Sequence, residues 1–280
     1  MKIIREVKAM QAACREARRA GKSIGLVPTM GALHAGHVSL VRAARQQSDF
    51  VTASIFVNPL QFGPTEDLDK YPRTFEADCR KLEAEGTDLL FAPTNSEMYP
   101  PTSSTFVNVE GLSSRLDGAS RPGHFCGVTT VVAKLFEIVR PDRAFFGQKD
   151  AAQVAVLRRM VHDLNMDLEL VVCPIVREED GLAMSSRNVY LSPTERKAAL
   201  CLSQSLAKIR ELYAAGEHDP ERLLAAGRAV IIAEPLAKLD YYELVNWDTL
   251  EPLSEARPGA LVAVAAWVGK TRLIDNCVLE

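Results

Sequence analysis

Short apolar runs alternate with longer amphipathic ones through the first two-thirds of the chain. Residues 23–27, 51–57, 88–91, 143–146 and 168–172 are dense in Val, Ile, Leu and Phe and have the length of strands. Between them, 38–47, 74–85, 128–139 and 151–164 carry apolar residues at helical spacing. Continuous apolar strands separated by helices predict an α/β fold, a parallel sheet covered on both faces. On such a sheet ligands sit beyond the carboxyl ends of the strands.

The pattern changes after residue 175. Residues 177–192 are polar and turn-rich, with Asp180-Gly181 followed by Ser185-Ser186-Arg187-Asn188. Helical patterns at about 193–215 and 220–233 come next. Strand-like runs at 240–246, 260–267 and 271–278 then read as an antiparallel meander. The expectation is two domains, 1–175 and a smaller α+β domain over 176–280, with the 177–192 loop at the joint.

The first strand-to-helix turn carries the most specific chemistry. Residues 28–37 read Pro-Thr-Met-Gly-Ala-Leu-His-Ala-Gly-His, between the run ending at Val27 and a helix predicted to open near Gly36. Backbone N–H groups and the positive end of a helix dipole converge on one spot there. His34 and His37, three residues apart, can face that spot. Amides, glycine and two imidazoles together suit the phosphates of a nucleotide. Two rival readings are histidines that merely cap the turn, and a zinc pair. The zinc pair is weak, because the nearest Cys, Asp or Glu residues are Glu16 and Asp49 and a third ligand would come from far away.

Further motifs end predicted strands or open helices. Phe146-Gly147-Gln148-Lys149-Asp150 puts a flexible cation at a helix start, suited to a phosphate, with Gln153 one turn on for a hydroxyl or carboxylate. Asp150 there is equally an ordinary N-cap. Ser185, Ser186 and Arg187 offer two hydroxyls and a guanidinium to phosphate oxygens, although the same stretch is a common solvated loop. Asn58 and Gln61 are neutral amides among apolar neighbours at another strand end, suited to a small hydroxylated acid; alternatively Asn58 fixes the turn before Pro59. Arg121 and His124 add a cation and an imidazole ahead of an apolar helix. Gly21-Lys22-Ser23 resembles the end of a P-loop, but Glu16 stands where the first glycine belongs and a strand follows, so it reads as an exposed turn.

Composition narrows the class. The 280 residues suffice for a full core, and 47% hydrophobic with 25% charged residues is ordinary for a globular enzyme. A net charge of -3 argues against a non-specific nucleic-acid surface. Six scattered cysteines without a C-x-x-C pair read as buried, reduced thiols. Residues 1–21 lack the apolar core of a signal peptide, and no apolar run approaches bilayer length. The expectation is a soluble, cytoplasmic protein with no nucleic-acid or membrane partner.

Taken in order, the motifs at 28–37, 54–62, Tyr71-Pro-Arg-Thr74, Arg121-Pro-Gly-His-Phe125, 146–150 and Met184-Ser-Ser-Arg-Asn188 resemble the pantothenate synthetase (pantoate–β-alanine ligase) family. The resemblance runs from Ile24 to about Leu191, and the later Ala-Ala-Trp-Val-Gly and Arg-Leu-Ile-Asp-Asn fit it too. It implies a Rossmann-like ATP domain, a smaller C-terminal lid, and a homodimer. It also implies a two-step reaction with magnesium. The carboxylate of pantoate attacks the α-phosphate of ATP, releasing pyrophosphate, and β-alanine then attacks the pantoyl adenylate, releasing AMP.

Carried over motif by motif, Met30, Gly31, Ala32, Leu33, His34, Ala35, Gly36, His37, Gly147, Gln148, Lys149, Asp150, Val176, Met184, Ser185, Ser186 and Arg187 would bind ATP. Of these, His34, His37, Lys149, Ser185, Ser186 and Arg187 would carry catalysis, with His37 as hydrogen-bond or proton donor to the phosphates. Gln61, Gln153, Asn58, Arg121 and His124 would hold the substrates, and Asp78 would take magnesium. No base for the β-alanine ammonium is assignable. Gln148 stands where some relatives carry Glu, which matters little if its side chain points away from ATP. Two readings compete. A nucleotidylyltransferase acting on a phosphate-bearing acceptor would need a more basic pocket than Gln61 and Gln153 suggest. A non-catalytic ATP sensor would have lost the donors that His34, His37, Lys149 and Arg187 retain.

Overall fold

A computed structural model describes residues 1–64 and 66–280. In chain order its elements are β1 (Lys2–Ile4), α1 (Val7–Arg19), β2 (Ile24–Thr29), α2 (Ala35–Gln47), β3 (Phe50–Ile55), α3 (Phe75–Ala84), β4 (Leu89–Phe91), α4 (Asn95–Met98), α5 (Asp117–Ser120), α6 (His124–Val139), β5 (Arg143–Gly147), α7 (Ala151–Asp163), β6 (Glu169–Cys173), α8 (Pro193–Ala198), α9 (Leu200–Ala214), α10 (Pro220–Ile232), β7 (Ala237–Asn246), β8 (Ala260–Val268) and β9 (Thr271–Val278). Tight 3-10 turns at Pro59–Gln61, Gln148–Asp150 and Ser186–Tyr190 carry several of the candidate residues.

Six strands pair in parallel in the order β1-β4-β3-β2-β5-β6, and β7-β8-β9 form a separate antiparallel sheet. The predicted alternation of strand and helix and the C-terminal meander are both present, with ends moved by a few residues. Successive strand residues serve opposite faces, as a doubly covered sheet requires. Leu26, Ala144 and Phe146 pack with Met10 and Cys14 of α1 and with α6 and α7, whereas Val27 and Phe145 pack with Leu40, Val41 and Ala44 of α2.

Several elements differ from the expectation. The helix anticipated over 193–215 is two helices meeting at Ala199. α1 and β1 were not anticipated. Met10, Cys14 and Ala17, all buried, lie at helical spacing on α1, so that helix was legible in the chain. β1 was not, because three residues carry no period and become a strand only against β4.

The antiparallel sheet is covered on both sides. Val262, Val264 and Ala266 of β8 pack with Leu202, Leu206 and Ile209 of α9. Leu261 and Ala263, on its other face, join the core that contains α6 and α7. In the parallel sheet the strand order turns back between β2 and β5, which opens a crevice beyond their carboxyl ends. The segments that follow β2, β5 and β6 line that crevice.

Candidate active site

The chain leaves β2 through Gly31 and Ala32, both at positive φ (83° and 50°), and enters α2 at His34. α3 holds this loop at two points. The carboxylate of Asp78 accepts from Ala32 N and Leu33 N, each at 2.8 Å, and from Thr74 Oγ1 at 3.1 Å. One helical turn on, Lys81 Nζ donates to the Leu33 carbonyl at 2.5 Å. Asp78 is wholly buried, with three donors on its two oxygens. The magnesium role that the resemblance implies for it does not fit, because its ligating lone pairs are turned onto protein N–H and O–H groups. It anchors the loop.

His34 is the N-cap of α2, and its Nδ1 accepts from Gly36 N at 3.2 Å. His37 Nδ1 accepts in turn from His34 N at 3.3 Å, and the two rings lie 4.1 Å apart. With Nδ1 committed as acceptor on both rings, the neutral imidazoles carry their protons on Nε2. Burial, then the neighbouring His37 and Lys149, pushes the pKa of His34 from 6.5 down to about 3. Burial, then Lys149 and Lys81, brings His37 to about 4. Both rings are therefore neutral at pH 7, each with an Nε2–H to donate. Capping and phosphate recognition, posed as rivals from the sequence, use different nitrogens of the same ring.

Two cavities that share lining residues open onto these groups. A smaller one of about 160 Å³ is lined by Met30, His34, Gly36 and His37, by Gly147, Lys149 and Asp150, and by Val176 and Met184–Arg187. A larger one of about 580 Å³ is lined by Arg121, His124, Gln153 and residues of β9. Lys149, Asp150, Ser185 and Arg187 line both. Of the residues expected to bind ATP, Gly31, Ala32, Leu33, Ala35 and Gln148 line neither cavity; Leu33 is a core residue. Gln148 turns its amide onto Asn276 Oδ1 at 3.2 Å. Asp150 occupies the N-cap position of α7 yet makes no capping bond, so the ordinary reading of that carboxylate fails.

The remaining cations are tethered. Ser185 Oγ accepts from Arg187 N at 3.3 Å, and Ser186 Oγ donates to the Ala32 carbonyl at 3.3 Å. Arg187 forks onto Asp67 at 3.1 and 2.9 Å, above the ring of Tyr71. Arg121 forks onto Glu66 at 2.8 and 2.5 Å. Its Nη1 also faces His124 Nε2 at 3.0 Å, while His124 Nδ1 donates to the Gln61 carbonyl at 2.8 Å. Burial and then Arg121 lower the His124 pKa to about 4. The lone pair of each of the three imidazoles at the site is thus engaged by a protein N–H, so none is free to act as a base.

Asn58 is corrected as well. It is 1% exposed, and its amide donates to Gln61 Oε1 and Gly127 O, both at 3.0 Å. Its Oδ1 accepts from Leu60 N at 3.3 Å and from the Tyr99 hydroxyl at 2.8 Å. It fixes the turn and orients Gln61 instead of meeting substrate. Gln61 lines neither cavity, but its Nε2 rests on the thioether of Met30 at 3.0 Å, a weak acceptor that leaves the amide available. Sequence reasoning missed Tyr71 as a wall of the smaller cavity, although an aromatic inside Tyr-Pro-Arg-Thr was a signal. Lys81 was findable as one turn beyond Asp78. Asn276 ends the Arg-Leu-Ile-Asp-Asn motif, but its contact with the β5–α7 turn was not legible, since it arrives from the other sheet.

Known proteins resemble this chain along its whole length. The family model described as Pantoate-beta-alanine ligase matches residues 2–278. A pantothenate synthetase of Koribacter versatilis is 63% identical over 280 residues, covering 100% of this chain and 96% of that one. One from Acetivibrio thermocellus is 55% identical over 280 residues, covering 100% of both. The crystal structure of pantothenate synthetase from Thermus thermophilus superposes with a TM-score of 0.95 at 49% identity over 99% of each chain. The pantoate–β-alanine ligase of Francisella tularensis, complexed with beta-gamma ATP and β-alanine, gives 0.81 at 33% identity over 99% of this chain and 97% of that one. The chain belongs to the pantoate–β-alanine ligase family.

Proposed function

We propose that this chain joins pantoate to β-alanine with ATP, forming pantothenate, AMP and pyrophosphate through a pantoyl adenylate. The observation that carries the reading is the ring of donors around the shared cavity: the Nε2–H groups of His34 and His37, with Lys149 and Arg187. A carboxylate does not expel oxide to an amine, whereas an acyl adenylate expels AMP. In the first step negative charge builds on the α-phosphate and the departing pyrophosphate, and fixed donors stabilise it without reorganising.

In this reading His34, His37 and Lys149 hold the phosphates, together with Ser185, Ser186 and Arg187. Arg187 must exchange Asp67 for phosphate oxygens, a swap of one bidentate acceptor for another. Gln153, with Gln61 behind Met30, takes the hydroxyls of pantoate. A magnesium ion bound with the nucleotide would shield phosphate charge. Asp150, whose carboxylate lines both cavities and caps nothing, is the residue we assign to it in place of Asp78. For the second step proximity suffices: β-alanine releases its proton to solvent before attack, since the three imidazoles are engaged.

The division into 1–175 and 176–280, with the second part acting as a lid, belongs to the same reading, as do the homodimer and a cytoplasmic location. No helix among the described residues is long and apolar enough to cross a membrane. The test is ATP–pyrophosphate exchange with magnesium and pantoate and without β-alanine. Exchange that requires pantoate is the expected result, and His37→Ala should reduce it about 10²–10³-fold. No exchange from folded protein that still binds ATP would overturn the ligase reading.

A further inference from the structure

The turn between β5 and α7 carries Lys149, and it has no side-chain cap of its own. It is held from the antiparallel sheet instead. Asn276 of β9 is 2% exposed, and its Nδ2 donates to the Gln148 carbonyl at 3.0 Å and to the Lys149 carbonyl at 2.9 Å. Its Oδ1 accepts from Gln148 Nε2 at 3.2 Å. The two carbonyls belong to the peptides on either side of the Lys149 Cα, so one carboxamide fixes the plane of both. Asn276 lines neither cavity and has no direct route to a ligand.

Lysine reaches its target on a long flexible stem, so the direction of its Cα–Cβ bond matters. Rotating that bond by about 10° carries an extended ammonium about 1 Å. Misplacement on that scale can lower a rate about 10²-fold. The neighbouring residue reinforces the link. Asp275 forks Arg177 at 2.7 and 3.0 Å, and Arg177 also donates to the Gly181 carbonyl at 3.0 Å, at the root of the segment that ends in Arg187.

We propose that Asn276 is a positioning residue for the adenylation step, fixing the backbone around Lys149 so that its ammonium meets the nucleotide phosphates. This rests on the ligase reading above. Asn276→Asp keeps the shape but replaces the donor with a carboxylate facing two carbonyls, and Asn276→Ala removes the group and provides a second variant should the first fail to fold. Pantoate-dependent ATP–pyrophosphate exchange is measured for both, below the melting temperature of each. The expected result is a kcat lowered about 10²-fold, with the KM for pantoate changed less than about twofold. The deciding readout is a cycle with Lys149→Met, in which either substitution at 276 costs less than about twofold more. Equal losses in the Lys149 and Met backgrounds would overturn the proposal, as would a kcat changed less than about twofold. Absence of exchange in the unsubstituted chain would instead overturn the ligase reading, and this proposal with it.

Discussion

Three half-buried imidazoles at one site give the protein a measurable pH signature. His34, His37 and His124 are neutral in the folded state, with pKa values of about 3, 4 and 4 against 6.5 for a free imidazole. Between pH 6.5 and about 4 the unfolded chain binds more protons than the folded one, so stability rises with pH across that window. It is complete above 6.5 and is lost as the pH falls toward 4. Urea denaturation at pH 4.5 and 7 should reveal the difference, and His124→Gln should reduce it. Asp78 gives a second residue-level test. Asp78→Asn removes a charged acceptor from buried N–H groups and should lower stability by about 2–3 kcal/mol. The magnesium concentration for half-maximal exchange should stay where it is; a shift would restore a metal role to Asp78. Which partner Asp78 or Asn58 takes was not legible in the chain. Both sit in polar, turn-flanking contexts where a buried clamp and an exposed ligand read alike, and only the neighbouring backbone decides.

Elements explain why the substrate turn has its shape. α6 crosses the Pro59–Gln61 turn at Gly127, where a Cβ would stand 2.3 Å from the Leu60 carbonyl oxygen and 2.6 Å from Gln61 N. Gly127 O also accepts from Asn58, so helix, turn and amide form one unit. Gly127→Ala should therefore cost about 1–3 kcal/mol by overpacking. By moving Gln61, it should also raise the KM for pantoate more than that for ATP, as steady-state kinetics would reveal. The alternation of strands and helices was legible because apolar runs of strand length and helical periods differ in the chain itself. The close approach at Gly127 was not, since it joins residues far apart in sequence. His34 lies between these cases: its cap position follows from the turn and helix on either side, while the division of labour between its two nitrogens needed the Gly36 amide in place.

At the scale of the molecule, ion pairs tie the antiparallel sheet to α5. Arg272 of β9 donates to Asp117 of α5 at 2.7 Å and to Asp240 of β7 at 2.8 Å, and the Tyr241 hydroxyl donates to Asp117 at 3.2 Å. Arg272→Met would leave Asp117, 7% exposed, without its counter-charge. The expected loss is about 3–5 kcal/mol in urea denaturation, characteristic of a buried charge stripped of its partner. Five of the six parallel strands and the meander were legible at this scale, whereas the order of the strands was not, because pairing is a long-range choice that local pattern does not encode. β1 makes the point: Lys2, Ile3 and Ile4 pair with Leu89, Leu90 and Phe91, and the terminal amine reaches Glu83 at 3.2 Å. Those three residues cover what would otherwise be an open strand edge bearing Leu-Leu-Phe. A chain shortened by its first five residues would move the sheet edge from the short, Lys-bearing β1 to the buried apolar β4, a better template for another copy. Light scattering that grows with concentration in the shortened protein, and not in the full one, is the expected outcome. The practical consequence is colloidal: the shelf life of a concentrated sample depends on three residues remote from any chemistry.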